Sequence, residues 1–228
     1  MTLDAPVPDL RLERLAAGVS AEGPWVVVDK PSGWHTLIGR SAGETVEAAL
    51  RNLVPECGTL PEAGLVHRLD HGTSGCLLAA TSEVARERWR ARWQGLAGAP
   101  VRKTYLAEVV SDSEDGPANV AGDFTLHFFS RHRRSAKVTV SRRGDRGEPG
   151  RCRWRIRRRA GRRLLLEIDL LGPGRRHQIR AGFASLGAPL VGDELYGGVP
   201  ADRLRLHAWR VAFDGTVVES PLPAWSRA

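Results

Sequence analysis

A lone carboxylate within a turn-rich stretch is the feature of this sequence best suited to chemistry. Residues 64–76 read Gly-Leu-Val-His-Arg-Leu-Asp-His-Gly-Thr-Ser-Gly-Cys, and an apolar run follows at 77–80. The pattern predicts an apolar strand that ends at Asp70, a sharp turn of small residues, and a second strand. The small side chains of residues 72–75 leave room for a ligand beside the Asp70 carboxylate, and a strand end would hold that carboxylate rigidly.

Two other interpretations of this stretch have to be weighed. An Asp beside an Arg at a strand end is often a structural ion pair that caps a loop, and this interpretation stays open. A protein-kinase catalytic loop also begins His-Arg, but its Asp comes third, whereas Leu69 intervenes here. No Gly-rich phosphate loop precedes the stretch, and the Asp-Phe pair at 123–124 lacks the Gly that a kinase needs next. We therefore exclude a kinase.

The composition predicts a protein that folds on its own and stays in the cytoplasm. The chain has 228 residues, 42% of them hydrophobic, which suffices for one sizeable domain or at most two small ones. No apolar run approaches the ~20 residues of a membrane span, and the acidic N-terminus lacks a signal-peptide pattern. The three cysteines are far apart, with no second Cys or His at metal-ligand spacing, so we expect buried thiols and no metal site.

The positive charge is concentrated in one segment of the chain. The formal net charge is +8, yet residues 131–163 alone carry fifteen Lys or Arg against two acids, so that the remainder is net negative. A uniform preference for arginine would spread the charge evenly. The segment therefore predicts a phosphate-binding surface, with a solvated basic face as the alternative.

The order of elements predicts a single α+β domain with a mainly antiparallel sheet flanked by helices and loops. Residues 1–23 are interpreted as an N-terminal arm or short helix, and residues 24–228 as the catalytic domain. Strands are expected at 25–29, 101–110, 123–129, 136–140, 152–157, 163–171 and 206–213. Helices are expected at 44–54, from the N-cap Ser82 through Leu96, and in a short segment that ends at 186.

Several short segments in this order resemble the RluA family of pseudouridine synthases, over roughly residues 25 to 215. They are Lys-Pro-Ser-Gly at 30–33, His-Arg-Leu-Asp-His-Gly-Thr-Ser-Gly at 67–75, Lys-Thr-Tyr-Leu-Ala-Glu-Val at 103–109, Gly-Arg-Arg-His-Gln-Ile-Arg at 174–180, and Gly-Ala-Pro-Leu-Val-Gly-Asp-Glu-Leu-Tyr-Gly at 187–197. The chain departs from the family pattern at Pro173, where Thr is usual, and at Gly182, where His is common.

The resemblance implies a pseudouridine-synthase-like fold and isomerisation of uridine to pseudouridine in rRNA or tRNA, without metal or cofactor. The N1–C1′ bond breaks, the base turns, and it rejoins through C5. Asp70 would be the catalytic carboxylate, which either attacks C1′ or removes the C2′ proton, and both routes stay open. Because burial disfavours an ionised carboxylate, a cation must offset it. The resemblance assigns that part to Arg180, whose planar fork suits a bidentate contact.

The resemblance also implies a set of residues that handle the RNA. Tyr105 would stack on the target base and assist proton removal at C5, while Arg68 would fill the place of the flipped-out uridine. Further pocket or substrate-binding residues would be Lys30, Thr73, Ser74, Lys103, Arg175, His177 and Gln178. His177 could equally be a hydrogen-bonded structural residue.

Phosphate contacts would come from Arg131, Arg153 and Arg155 within the basic segment. We expect a monomer that binds RNA and no membrane. The alternative function is a non-catalytic RNA-binding or ribosome-assembly protein on the same scaffold. A hydrolase is less well supported, because no second acid stands at a suitable position beside Asp70.

Overall fold

The computed structural model describes residues 11–39, 44–111, 121–132 and 135–227. Two parts of the sequence predictions therefore lie outside the described residues. These are the first ten residues of the N-terminal arm and residues 133 and 134 of the basic segment.

Within the described residues ten strands form one sheet, and its pairing confirms the predicted fold class. The strands are β1 Glu13–Ser20, β2 Gly23–Lys30, β3 Ser74–Ala80, β4 Arg102–Val110, β5 Ala121–Phe129, β6 Thr139–Ser141, β7 Glu148–Ala160, β8 Arg163–Leu171, β9 Leu206–Phe213 and β10 Thr216–Glu219. Their order is β1-β2-β3-β9-β4-β8-β7-β5-β6, with β10 paired to β9. Within the described ranges every strand pair is antiparallel except the short contact between β3 and β9.

The helices lie where their capping residues begin them. They are α1 Val46–Leu53, α2 Glu83–Trp93, α3 Gln178–Ser185 and α4 Ala224–Arg227. The hydroxyl of Ser82 accepts a hydrogen bond from the backbone N–H of Ala85, as an N-cap does. The prediction that this helix continues through Leu96 is wrong, since Leu96 lies beyond α2 and is 76% exposed. None of the helices in the described ranges is long and apolar enough to cross a membrane.

Two strands were missed in the sequence. Residues 13–20, expected as an arm or short helix, form β1 instead, because pairing with the strongly apolar β2 outweighs a weak local pattern. Strand β10 turns back on β9 through Asp214 and Gly215, both at positive φ (47° and 75°). An Asp-Gly pair is a strong signal for a two-residue hairpin turn.

Three groups of buried side chains make up the core, and Tyr105 lies between two of them. One group joins β4, β5, β7 and β8 to α3, and the second packs α1 on β2 and β3. The third packs α2 on the other face of β2 and β3. Tyr105 is half-buried against the first two groups. The free thiols of the three cysteines at 57, 76 and 152 are buried, as predicted.

Candidate active site

A cavity of about 1170 Å³ opens where the loop before β3, the N-terminal end of α3 and the loop before β9 meet. Its lining includes Asp70, Tyr105 and Arg180, so the three predicted catalytic residues share one site. No group of three His, Cys, Asp or Glu side chains within the described part of the chain is arranged to hold a metal ion.

Asp70 stands in an irregular loop and not at the end of a strand, which corrects the sequence prediction. The preceding segment makes only an isolated bridge at Leu65. Side chains replace the missing sheet contacts. The Thr36 hydroxyl donates to the carbonyl of Leu69 (2.8 Å) and accepts from its N–H (3.1 Å), and the Ser32 hydroxyl donates to the carbonyl of Gly72 (2.8 Å). The loop is therefore held on both sides of the carboxylate.

Lys30 belongs to this support and not to the cavity lining. Its side chain is fully buried, and its ammonium donates to the carbonyls of Pro31 (2.9 Å), His71 (3.1 Å) and Thr73 (2.7 Å). Burial lowers the pKa of Lys30 to about 7, although the nearby Asp70 charge opposes this. Lys30 therefore has a structural role and does not make the predicted contact with RNA, because its buried ammonium is not accessible to a ligand.

Arg180 connects Asp70 to a second carboxylate that sequence reasoning missed. Its Nε and Nη2 donate to the two oxygens of Asp193, each at 2.7 Å, whereas only Nη1 reaches Asp70, at 3.3 Å. The predicted bidentate contact therefore exists, but with Asp193. Burial alone would lower the pKa of Arg180, yet Asp193 and Asp70 together raise it above the ordinary value. The guanidinium stays charged beside Asp70.

The backbone around Asp193 explains how this buried carboxylate is placed. The preceding Gly192 has φ +76°, and a Cβ on it would lie 2.0 Å from the carbonyl oxygen of Arg203. The Asp193 carbonyl accepts from the N–H groups of Tyr196 and Gly198. A Gly-Asp pair between apolar and aromatic residues at 190–196 was the available signal for this partner.

His177 and Tyr196 form a second link to Asp70. The Tyr196 hydroxyl accepts from the N–H of Val138 (2.7 Å) and lies 2.9 Å from Nδ1 of His177. If it donates its own proton to Nδ1, the N–H of His177 is on Nε2, which is 3.7 Å from Asp70. Burial lowers the pKa of His177, while the Asp70 charge opposes this. The residue also has φ +51°, a costly conformation for a non-glycine residue.

Tyr105 faces the cavity from β4, next to an irregularity in the sheet. The pairing of β4 with β9 shifts between Thr104 and Leu106, and such shifts redirect side chains near functional sites. Burial raises the pKa of Tyr105, and the charge of Asp70 raises it further. The side chain is therefore a neutral phenol with an accessible ring, suited to stacking and hydrogen bonding.

The predicted substrate-binding residues divide into two groups at the cavity. Arg68 is exposed on the wall, and Thr73 also lines it. Ser74 does not line it: its hydroxyl accepts from Arg203 (2.6 Å) and contacts Nδ1 of the buried His207 (2.8 Å). Ser74 therefore supports the site from behind.

Lys103 lies in the wall near two aromatic side chains. Its ammonium lies 5.0 Å from the ring centroid of Trp93, which stacks on His67 at 3.7 Å. Burial lowers the pKa of Lys103 to about 8 and is the cause of the shift. Trp93 also lines the cavity.

Arg175 and Gln178 line the cavity but are held by the protein itself. Nε of Arg175 donates to the carbonyl of Pro149 (2.9 Å). The Gln178 amide accepts from the backbone N–H of Arg175 (2.9 Å) and donates to the carbonyl of Arg151 (3.0 Å). These contacts fix the start of α3, which carries Arg180.

Three of the predicted phosphate-binding residues are not at this cavity. Arg131 lines a separate cavity of about 490 Å³ beside Lys137 and Ser185. Arg153 and Arg155 are exposed on β7 and absent from the cavity lining. These three arginines therefore do not line the cavity that contains Asp70.

Comparison with known proteins identifies relatives of this chain. The profile of the RNA pseudouridylate synthase family matches residues 24–185. Ribosomal large subunit pseudouridine synthase D of Nitrosomonas europaea is 32% identical over 87% of this chain and 59% of its own length. The Xylella fastidiosa protein of that name is 37% identical over 75% of this chain and 49% of its own length. The chain thus spans about half the length of several curated relatives that it matches.

A third relative and a solved structure extend the comparison. The dual-specificity RNA pseudouridine synthase RluA of Vibrio cholerae is 30% identical, with 82% of this chain and 73% of that protein covered. The fold is similar to that of human RNA pseudouridylate synthase domain containing 4, with a TM-score of 0.69 at 18% identity, covering 94% of this chain and 90% of that one. The profile match spans well over half of the sequence, and the chain belongs to the RluA family of RNA pseudouridine synthases.

Proposed function

We propose that this protein isomerises uridine to pseudouridine within RNA, with Asp70 as the reacting carboxylate. The observation that carries the proposal is the placement of Asp70: a carboxylate, 24% exposed, in a cavity that Tyr105 also lines, with the Arg180 guanidinium, whose side chain is 12% exposed, 3.3 Å away. A fixed cation keeps the carboxylate ionised when a base displaces water from the cavity.

The chemistry needs few groups beyond these. The base leaves C1′ through N1, turns, and bonds to C1′ through C5, after which the C5 hydrogen departs as a proton. Asp70 either attacks C1′ or removes the C2′ proton, and the arrangement supports both routes. Tyr105, as a neutral phenol, supports base stacking and hydrogen bonding better than it supports proton removal. A uridine within a folded RNA must be flipped out, and Arg68 is exposed at the wall to fill its place.

The relatives suggest which RNA to test first. Two are named for the large ribosomal subunit, which favours its rRNA, and one is named a dual-specificity enzyme, which favours testing tRNA as well. We propose that the protein acts as a monomer, since one chain supplies Asp70, Tyr105, Arg180 and Asp193 to the same cavity. We also propose that it acts in the cytoplasm.

Pseudouridine mapping of rRNA and tRNA from cells with and without the gene tests the proposal. We expect specific sites to disappear with the gene, to return with the wild-type protein, and to stay absent with Asp70→Asn. Identical maps in all strains, in a background without a second related enzyme, would contradict it. Rescue of every growth phenotype by Asp70→Asn would instead favour the non-catalytic RNA-binding role.

A further inference from the structure

The register of the sheet separates an arginine row from the candidate active site. Tyr105 on β4 pairs with Ile168 on β8, which pairs in turn with Trp154 on β7. Directly paired residues project from the same face of a sheet, and neighbours along a strand project from opposite faces. Arg153 and Arg155 flank Trp154 and therefore project from the face opposite to Tyr105.

The arginines on this face are exposed, and their charges are only partly neutralised. Arg151 and Arg153 are exposed and make no ion pair with any residue in the described ranges. The side chain of Arg155 remains 65% exposed although it donates to Glu167 at 2.8 Å. We call Arg151, Arg153 and Arg155 the back-face arginines.

The acids near this row form no ion pair with Arg151 or Arg153 among the described residues. Asp169, which faces Arg153 across the strands, accepts from the Thr104 hydroxyl at 2.7 Å and contacts Arg102 at 3.3 Å. Glu167 is largely buried, so its carboxylate is not exposed to solvent. It contacts the Arg155 guanidinium from the protein side. On β5, the exposed Asp123 is the other acid that faces Arg153 across the ladder.

We propose that the back-face arginines bind the phosphate backbone of a second segment of the substrate RNA, on the side of the sheet opposite to the uridine cavity. This inference rests on the proposed function. Side chains on one face recur every ~6.8 Å along a strand, so the row spans about 14 Å and its three guanidinium groups can contact separate phosphates of one RNA strand. A guanidinium group can donate two parallel hydrogen bonds to phosphate oxygens, whereas an ammonium group acts as a point charge.

Binding of two RNA probes tests the proposal. One is a short single-stranded oligouridine, and the other is a hairpin with a uridine loop and a stem longer than the ~16 base pairs that a double-stranded RNA-binding domain spans. The variant is Arg151→Gln/Arg153→Gln/Arg155→Gln. The double variant Arg151→Gln/Arg153→Gln breaks no ion pair among the described residues and guards against misfolding. The matched control, Arg14→Gln/Arg88→Gln/Arg227→Gln, removes three exposed arginines elsewhere and changes the net charge equally.

We expect the triple variant to lose affinity for the hairpin relative to oligouridine, and to flatten the slope of log K against log salt for the hairpin by about 2 to 3. The control should leave both quantities at the wild-type value. An unchanged slope in the triple variant, an equal loss with both RNAs, or an equal loss in the control would overturn the proposal. Isomerase activity of the same wild-type preparation reports separately on the proposed function, so the two failures are distinguishable.

Discussion

Asp193→Asn isolates the contribution of the carboxylate that holds Arg180. The substitution keeps the size of the side chain but replaces one acceptor oxygen with an NH₂ group that faces a guanidinium. In the protein, two contacts of 2.7 Å join Asp193 to an arginine whose side chain is only 12% exposed. A hydrogen bond to a charged group contributes about 1.5–3 kcal/mol, so losing one of the two should lower the free energy of unfolding by about 2–3 kcal/mol.

Urea denaturation and thermal melting measure this loss, which corresponds to a decrease in melting temperature of about 5–10 °C for a chain of this size. Activity should fall too, because Arg180 is no longer held toward Asp70. Asp70→Asn weakens only the 3.3 Å contact with Arg180 and the 3.7 Å contact with His177, so its unfolding free energy should change by less than about 1 kcal/mol while activity disappears. The control Asp202→Asn alters a cavity-lining acid that is 74% exposed and should change neither quantity. Equal stability of Asp193→Asn and Asp70→Asn would refute this assignment of roles.

Three further predictions concern the surroundings of the site. Tyr196→Phe removes the hydroxyl between Val138 and His177, so we expect about 1 kcal/mol less stability and a five- to tenfold lower kcat with KM little changed; an unchanged kcat would contradict the proposed link. Gly182→Ala would normally stabilise a helix, but its Cβ would lie 2.7 Å from Cζ of Phe124, so we expect a loss of about 1–3 kcal/mol by denaturation, and a gain would contradict that packing. Burial lowers the pKa of His67 to about 3, below its ordinary 6.5. Protonation therefore leaves the free energy of unfolding unchanged above pH 6.5 and lowers it as the pH falls from 6.5 to 3, because the unfolded chain binds the proton more tightly. At pH 5 the loss is at most about 2 kcal/mol, and NMR titration should show neutral His67 at that pH; protonation near 6.5 would contradict its burial.

The sequence motifs identify three residues that line the cavity, but they do not identify the residues that hold those three in place. Asp70, Tyr105 and Arg180 come from distant segments, yet each belongs to a contiguous motif, and they line one cavity. Asp193 went unassigned because its partner, Arg180, is fixed only by the tertiary fold. The sequence predicts a strand end at Asp70, where the structure has a loop. The pattern around Asp70 does not reveal this loop, because Thr36 and Lys30, which replace the sheet contacts, lie far away in sequence.

The arginine-rich segment illustrates a different limit. Alternation along β7 produces one apolar and one basic face. It could not predict where the basic face lies relative to Tyr105, because that depends on the pairing register through β8. A shift of one residue in that register would have placed the arginines on the side of the cavity.

The most direct test of the account follows the C5 hydrogen of uridine. The purified protein is incubated with RNA that carries tritium at C5 of uridine, prepared from cells that lack the gene, and tritium released to water is measured alongside nucleoside analysis. We expect the wild-type protein to release tritium in proportion to the pseudouridine formed, and Asp70→Asn to release none although it still binds the RNA. Equal release by Asp70→Asn, or no pseudouridine with any rRNA or tRNA, would contradict it.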